Sequence, residues 1–300
     1  MLSSSTQQRC SVLLHFSGYG YDKRGLCNWL LHALRDAQQR LGPRLRIVTL
    51  FHELSASSPP WQSAFWLGPM QARIARQLAA LSAAVATNTA QHAQWLRAQA
   101  GVSLAVQFPV HVRPVFSNFP QPPQRPAIAA REPAMIVFGS AATRARALRR
   151  LAAHAAMLQS LGIEGLTEVG PGAQSVHPSH PLPQQQLGTL LPADVSRQLL
   201  RHRYALIDYP SHCLAKSSVF AAYAAHGCAV LNTADPEPDA DALRAGQHYA
   251  ALAATAPVDA EAWQAMADAL SGWYAGHPLD LQAQELGELM DPAHAGQPRC

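Results

Sequence analysis

LIDYPSHCLAKSSVFAAYAAHGCAVLN, residues 206–232, holds an apolar run, a proline turn, a lone lysine, two serines, an alanine-rich segment and a second apolar run. Leu206 to Tyr209 reads as a strand closed by Pro210, Ser217 to His226 as a helix, Gly227 as its stop, and Cys228 to Leu231 as a buried strand. A strand-loop-helix-strand unit of this kind belongs in a parallel α/β layer. Lys216 stands directly before the helix. Its ammonium joins the unpaired backbone N–H groups of Ser217, Ser218 and Val219 at the positive end of the helix dipole. An anion, phosphate above all, suits such a place. Composition adds weight, because Lys23 and Lys216 are the two lysines among 23 basic residues and the rest are arginines. A chain that uses Arg for general positive charge keeps Lys where a compact point cation is wanted. A surface lysine beside a capped helix would leave the same local pattern.

Outward from this stretch, strands and helices alternate. Ser11 to Phe16 is a short apolar strand ending in Ser17-Gly18-Tyr19-Gly20-Tyr21, whose glycines permit tight turning close to a ligand. The next helix places Leu26, Trp29, Leu30, Ala33, Leu34 and Ala37 on one face. Arg46 to Phe51 is a strand that delivers His52 and Glu53 to its C-terminal end, where ligands bind in doubly wound sheets. A hydrogen-bonded structural histidine is the alternative reading of His52. The loop from Ser55 to Pro69 carries Trp61, Phe65 and Trp66, which read either as a sugar or lipid platform or as a plug on the core. A helix with Met70, Ile74, Leu78 and Leu81 in register follows, then a strand at Ala83 to Thr87, a helix around Gln91 to Gln99, and extended chain from His111 to Phe116.

Pro120, Pro122, Pro123, Pro126 and Pro133 crowd a segment without periodicity, which reads as a linker. The second half restarts with a strand at Ala134 to Phe138, a Gly139-Ser140 turn, a helix over Arg144 to Leu161, and a short strand, Leu166 to Val169, ending in Gly170-Pro171-Gly172. Ala173 to Gln186 reads as a surface loop and Pro192 to Leu200 as a helix. Trp263, Met266, Leu270 and Trp273 form a stripe on a last helix.

At 300 residues with 48% hydrophobic and 14% charged residues, the chain can bury two cores. Its net charge of +4 with dispersed arginines argues against nucleic acid. Five widely spread cysteines without a CxxC pair fit a reducing compartment, and His177 with His180 lacks the acidic or thiol company of a metal site. No run approaches a membrane span and no signal core opens the chain, so the expectation is a cytoplasmic protein with no transmembrane segment, peripheral membrane contact remaining open. No G-x-S-x-G, G-x-G-x-x-G or P-loop occurs. A leaving diphosphate held by Lys216, the Ser217-Ser218 helix start and Arg144 would be stabilised electrostatically, without a metal.

Phe51-His52-Glu53, Pro114 to Asn118, Val137-Phe138-Gly139, Gly170-Pro171-Gly172 and Leu214 to Gly227 together resemble glycosyltransferases of the GT-B fold. They are most similar to the bacterial family-four-like, nucleotide-sugar-dependent enzymes. The resemblance spans roughly Val12 to Ala250. It implies two Rossmann-like α/β domains facing each other across a cleft. These are an acceptor-side domain over 1–118, a linker over 119–133, a nucleotide-sugar domain over 134–260, and a C-terminal helix and tail over 261–300 packing back on the first domain.

The implied activity is transfer of a sugar from a nucleoside diphosphate to a glycan, lipid-linked glycan or small metabolite, retaining and independent of metal or other cofactor. His52 and Glu53 would be the catalytic pair. Arg144, Lys216, Ser217 and Ser218 would hold the donor diphosphate, with Gly139 and Gly227 as donor-site backbone. Gly18, Tyr19, Gly20, Trp61 and Trp66 would form the acceptor side. The chain departs from the family pattern in having no acid between Tyr209 and Thr233 to grip a ribose. It also lacks the first strand with its glycine-rich loop, so the first domain reads as shortened at its N-terminus, with an exposed sheet edge. A catalytically inactive GT-B scaffold and a sugar-nucleotide epimerase are the alternatives.

Overall fold

The computed structural model describes residues 9–56, 60–61, 63–103, 109–172, 182–252 and 259–292; His177, His180 and Cys300 lie outside them. The chain divides into two compact units, Met1–Pro114 with Asp280–Cys300, and Val115–Leu279.

The first unit runs β1 (Cys10–Phe16), α1 (Gly18–Tyr21), α2 (Asn28–Leu41), β2 (Leu45–Phe51), α3 (Ser63–Leu81), β3 (Ala84–Thr87), α4 (Ala90–Ser103) and β4 (Val110–Val112). Its strands pair in parallel in the order β1-β2-β3-β4. Every residue of β3 is buried, and β2 is buried from Ile47 onward, as the near-continuous apolar runs of a parallel sheet require. α2 buries Leu30, Leu31 and Leu34 and leaves Trp29 exposed, a narrower face than the spacing predicts. α3 buries Ile74 and Leu78, while Met70 is exposed. The C-terminal helix (Leu279–Met290) is fastened to this unit. Glu285 pairs with Arg113 at 2.5 Å, and the Met290 and Leu289 carbonyls accept from Ser11 Oγ and Arg46 Nε at 2.8 and 2.6 Å.

The second unit runs β5 (Glu132–Phe138), α5 (Ala141–Leu151), α6 (Ala155–Ser160), β6 (Gly165–Val169), β7 (Gln184–Gln186), α7 (Pro192–Arg201), β8 (His202–Ile207), α8 (Ser218–Ala225), β9 (Ala229–Asn232), β10 (Ala250–Ala251) and α9 (Ala260–Ala275). All strands are parallel, in the order β10-β9-β8-β5-β6-β7. The chain winds from β5 outward to β7, then returns to β8 on the other side of β5 and winds outward to β10. β5 and β8 therefore flank a topological switch point.

Several elements differ from their sequence reading, among them the strand read over 206–209, which runs over His202–Ile207, and the helix read from Met70, which starts at Ser63 and takes in Phe65 and Trp66. β7 is a strand inside the stretch read as loop, because Gln184-Gln185-Gln186 has no apolar pattern and lies at the sheet edge. The helix read over Arg144 to Leu161 starts at Ala141 and is broken by a 3₁₀ turn at Ala152–His154. In the proline-rich stretch, Ile128 is fully buried and its N–H donates to Gln264 Oε1 at 2.7 Å, so the chain packs there without regular periodicity. The α9 stripe of Trp263, Met266 and Leu270 is core, as such a stripe reads, and it is the helix after it that packs on the first unit.

That core carries a pH dependence. His226 and His277 are buried, and desolvation pushes each down to about 4. Both titrate near 6.5 when unfolded. The unfolded chain thus binds more protons between these values, and stability is full above about pH 6.5 and falls as pH drops toward 4, by at most roughly 3 kcal/mol per histidine. Urea midpoints should decline from pH 7 to pH 4.5, and His226→Gln should flatten the slope.

Candidate functional site

In the second unit, four strands end beside one another. β5 leads into Gly139 at φ +135°, β6 into Gly170 at φ +141°, β8 into Asp208, and β9 ends at Asn232. A Cβ on Gly170 would lie 2.0 Å from the Gly139 carbonyl oxygen, so only glycine fits where these two loops touch. Ser140 caps α5, its side chain accepting from the Thr143 N–H. Ser217 caps α8 in the same way, accepting from the Phe220 N–H at 3.1 Å.

Gly139 faces the Val219 side chain, so the first turns of α5 and α8 are neighbours at the switch point. Neither first turn contains an acidic residue. Tyr223 sets the α8 position: its hydroxyl donates to the Leu206 carbonyl and accepts from the Phe138 N–H, both at 3.0 Å, bridging β8 and β5. Burial pushes that hydroxyl's pKa upward. Lys216, half-buried, ends a 3₁₀ helix (Ser211–Lys216) immediately before the Ser217 cap. Among the described residues no carboxylate lies within ion-pair distance of its ammonium. Two helix N-termini thus meet at the C-terminal ends of β5 and β8, and Lys216 stands in the chain immediately before one of them.

Arg144 lies beside this place but is buried. Its guanidinium pairs with Glu168 at 3.3 Å and donates to the Gly139 and Pro171 carbonyls at 2.6 and 3.3 Å, while Glu168 also accepts from Gln186 Nε2 at 3.1 Å. Its sequence position beside the helix start is as read, and its Nε and Nη1 hold the two glycine loops together. Arg146 is bound to Asp208 at 2.5 Å, with Arg150 3.9 Å from the other carboxylate oxygen. Gly227 follows α8 at the end opposite Lys216, about 12 Å along the helix axis. At φ +60° it ends the helix. Glu237, beyond β9, accepts from His212 Nδ1 at 2.6 Å, which brings a carboxylate to the start of the lysine's 3₁₀ helix, where the chain between Tyr209 and Thr233 has none of its own.

In the first unit, His52 and Glu53 follow β2, and the His52 N–H donates to the Phe16 carbonyl at 2.8 Å, locking the ends of β1 and β2 together. The His52 ring stacks on His15, with Nε2 3.2 Å from His15 Nδ1, and its Nδ1 is 3.0 Å from Asn88 Oδ1. Asn88 Nδ2 donates to the Arg113 carbonyl at 2.9 Å, so Oδ1 is the acceptor and His52 Nδ1 carries a proton. Glu53 accepts from Ser17 Oγ at 3.0 Å. Gly18, Tyr19 and Glu53 share a shallow hollow with Gln71, and Gly20 faces open space. Trp61 and Trp66 do not line that hollow; both are strongly exposed, which disfavours the plug reading.

His15 and Asn88 were not singled out from sequence. Each stands at the end of a parallel strand, the same positional signal that picks out His52. Asn88→Ala should lower stability by about 1–2 kcal/mol, because the half-buried Arg113 carbonyl and His52 Nδ1 both lose a partner. Thermal unfolding and the ¹⁵N shifts of the His52 ring would read this. Among the described residues no three metal-ligating side chains group together, and no helix is long and apolar enough to cross a membrane.

The second unit, with its switch point beside glycine loops and paired helix starts, is a doubly wound parallel α/β unit. Comparison with solved structures extends this to most of the chain. The UDP-forming α,α-trehalose-phosphate synthase of Burkholderia xenovorans aligns with TM-score 0.58 and 12% identity over 94% of this chain and 74% of that one. The sucrose-phosphate synthase of Thermosynechococcus elongatus gives 0.56 and 13% over 96% and 74%. The pneumococcal O-GlcNAc transferase GtfA, in complex with UDP and GlcNAc, gives 0.51 and 11% over 90% of this chain and 61% of that one. This chain therefore spans less than two thirds of GtfA's length. At such identities the likeness is one of fold, and the fold is that of the GT-B glycosyltransferases. No family model matches the sequence, and no curated protein does.

Proposed function

We propose that the chain is a glycosyltransferase that takes a sugar from a nucleoside diphosphate, with the diphosphate held in the second unit. One observation carries the reading: the first turns of α5 and α8 meet at the β5/β8 switch point with Lys216 beside them, and no acidic residue stands in either turn. Lys216 and the Ser218 amide hold the diphosphate and stabilise the charge that develops as the sugar leaves, the Ser217 N–H being taken by the Leu214 carbonyl at 2.9 Å. Gly139 lets the backbone approach it. Arg144 acts through the loops it ties together, and Glu237 is the carboxylate available for the ribose. His52, oriented by Asn88, and Glu53 serve the sugar and acceptor side with Gly18, Tyr19 and Gly20, while Trp61 and Trp66 extend that side outward. Transfer is retaining and needs no metal, with the leaving phosphate taking the acceptor proton. The similar structures, of a UDP-forming synthase and a UDP-bound transferase, favour UDP as the donor nucleotide.

Calorimetric titration with UDP, with GDP as control and without divalent metal, tests this. Saturable UDP binding is expected. No binding to either by well-folded protein would overturn it and favour an inactive scaffold.

A further inference from the structure

The first two turns of α3 present apolar side chains to solvent. Trp61, Trp66, Met70 and Phe65 are 82, 70, 50 and 42% exposed within ten residues of chain, while Ile74 and Leu78 further along the same helix are buried. The Phe65 and Trp66 rings meet edge to face at 5.4 Å, and the Trp66 indole N–H donates to the Pro60 carbonyl, leaving its outer surface apolar. Such a cluster marks a surface built to be covered.

The charges around it are one-sided. No Asp or Glu occurs between Glu53 and Glu132, and residues 1–114 hold eleven Lys and Arg against Asp22, Asp36 and Glu53; the unit's other acids, Asp280, Glu285, Glu288 and Asp291, belong to its C-terminal segment, where Glu285 pairs with Arg113. Arg73 is exposed on α3 itself. Gln71, next to Met70, donates to the Arg24 carbonyl at 2.8 Å and to the Tyr19 hydroxyl at 3.2 Å, which fixes exposed Lys23 and Arg24 beside the helix start. The two nearby acids are engaged: Asp22 accepts from the Arg24 and Leu26 N–H groups, and Glu53 from Ser17.

We propose that this face of the first unit, the start of α3 with the Lys23-Arg24 loop, docks on an anionic lipid bilayer. Protruding Trp and Phe enter the headgroup boundary, and the cationic rim meets the negative surface. A second copy fits worse, because a two-fold contact would set the cationic rim against itself. The inference deepens the acceptor side of the proposed function by naming a membrane-borne acceptor. Vesicle binding is read without any sugar donor, so failure of either leaves the other standing.

The test is co-sedimentation with vesicles of phosphatidylcholine alone and with 30% phosphatidylglycerol (about a third anionic lipid, in the range that attracts basic segments), with tryptophan emission followed in parallel. Binding to the anionic vesicles at least about tenfold stronger than to the neutral ones is expected, weakening with added salt. The emission should shift to the blue. Trp61→Ser with Trp66→Ser should cut binding about tenfold or more and remove the shift. Lys23→Glu with Arg73→Glu, which leaves the aromatics in place, should abolish the preference for anionic lipid. Absence of vesicle binding by the folded wild type, unchanged binding by both double variants, or a wild-type dimer that the Trp variant dissociates without any vesicle binding would overturn the proposal.

Discussion

Lys216→Ala should weaken UDP binding about 10- to 100-fold while leaving thermal stability nearly unchanged. A charge-assisted hydrogen bond to a phosphate oxygen contributes about 1.5–3 kcal/mol, and each 1.4 kcal/mol is roughly tenfold in affinity. The second half of the expectation follows from the fold. Among the described residues the ammonium makes no ion pair, and the Ser217 cap that starts α8 does not depend on it. Lys216→Arg should keep part of the affinity, because charge is retained but a fork-shaped guanidinium replaces a compact cation before a tightly capped helix. Calorimetry of the three proteins at fixed ionic strength reads both effects. Wild-type affinity in Lys216→Ala would sink the assignment of the diphosphate to this helix start. A large loss of Tm in that variant would mean that the lysine is part of the fold instead.

The strand-loop-helix-strand unit at residues 206–232 was legible because every signal in it is local. An apolar run, Pro210, the Ser217 cap and Gly227 each act within a few residues, and α8 and β9 lie within one residue of the reading, while β8 begins four residues earlier than read, at His202, and stops at Ile207. The strand ends that carry His52 and Gly139 were legible for the same reason. What escaped depends on residues distant in sequence. Glu168 is 24 positions from Arg144, and nothing near Arg144 in the chain signals that a buried carboxylate will claim it. Glu237 reaches His212 across 25 positions, so a search for an acid inside the helix stretch missed it. The Gln184–Gln186 strand has no apolar alternation because its pairing with β6, at the edge of the sheet, is all that makes it a strand. The exposure of Trp61 and Trp66 also escaped, since an aromatic cluster in a loop has the same sequence whether it caps a core or faces solvent.

Arg144→Ala is the variant that separates the sequence reading from the observed geometry. If the guanidinium gripped the donor, the substitution would lower UDP affinity and leave Tm alone. The geometry predicts the reverse order of effects. Removing one partner of a buried pair leaves Glu168 charged and largely desolvated, a cost of about 3–5 kcal/mol. For a unit of this size that lowers Tm on the order of 10 °C. The Gly139 and Pro171 carbonyls lose their shared donor at the same time, so the two glycine loops at the switch point loosen, and UDP affinity should fall only as a consequence. Arg144→Met with Glu168→Gln should recover a good part of the stability. The buried charge is then gone, and a glutamine at 168 can still accept from Gln186 Nε2. Such recovery without restored affinity would show the two loops to be positioned by the guanidinium itself. A stable Arg144→Ala protein that fails to bind UDP would instead return the residue to the diphosphate.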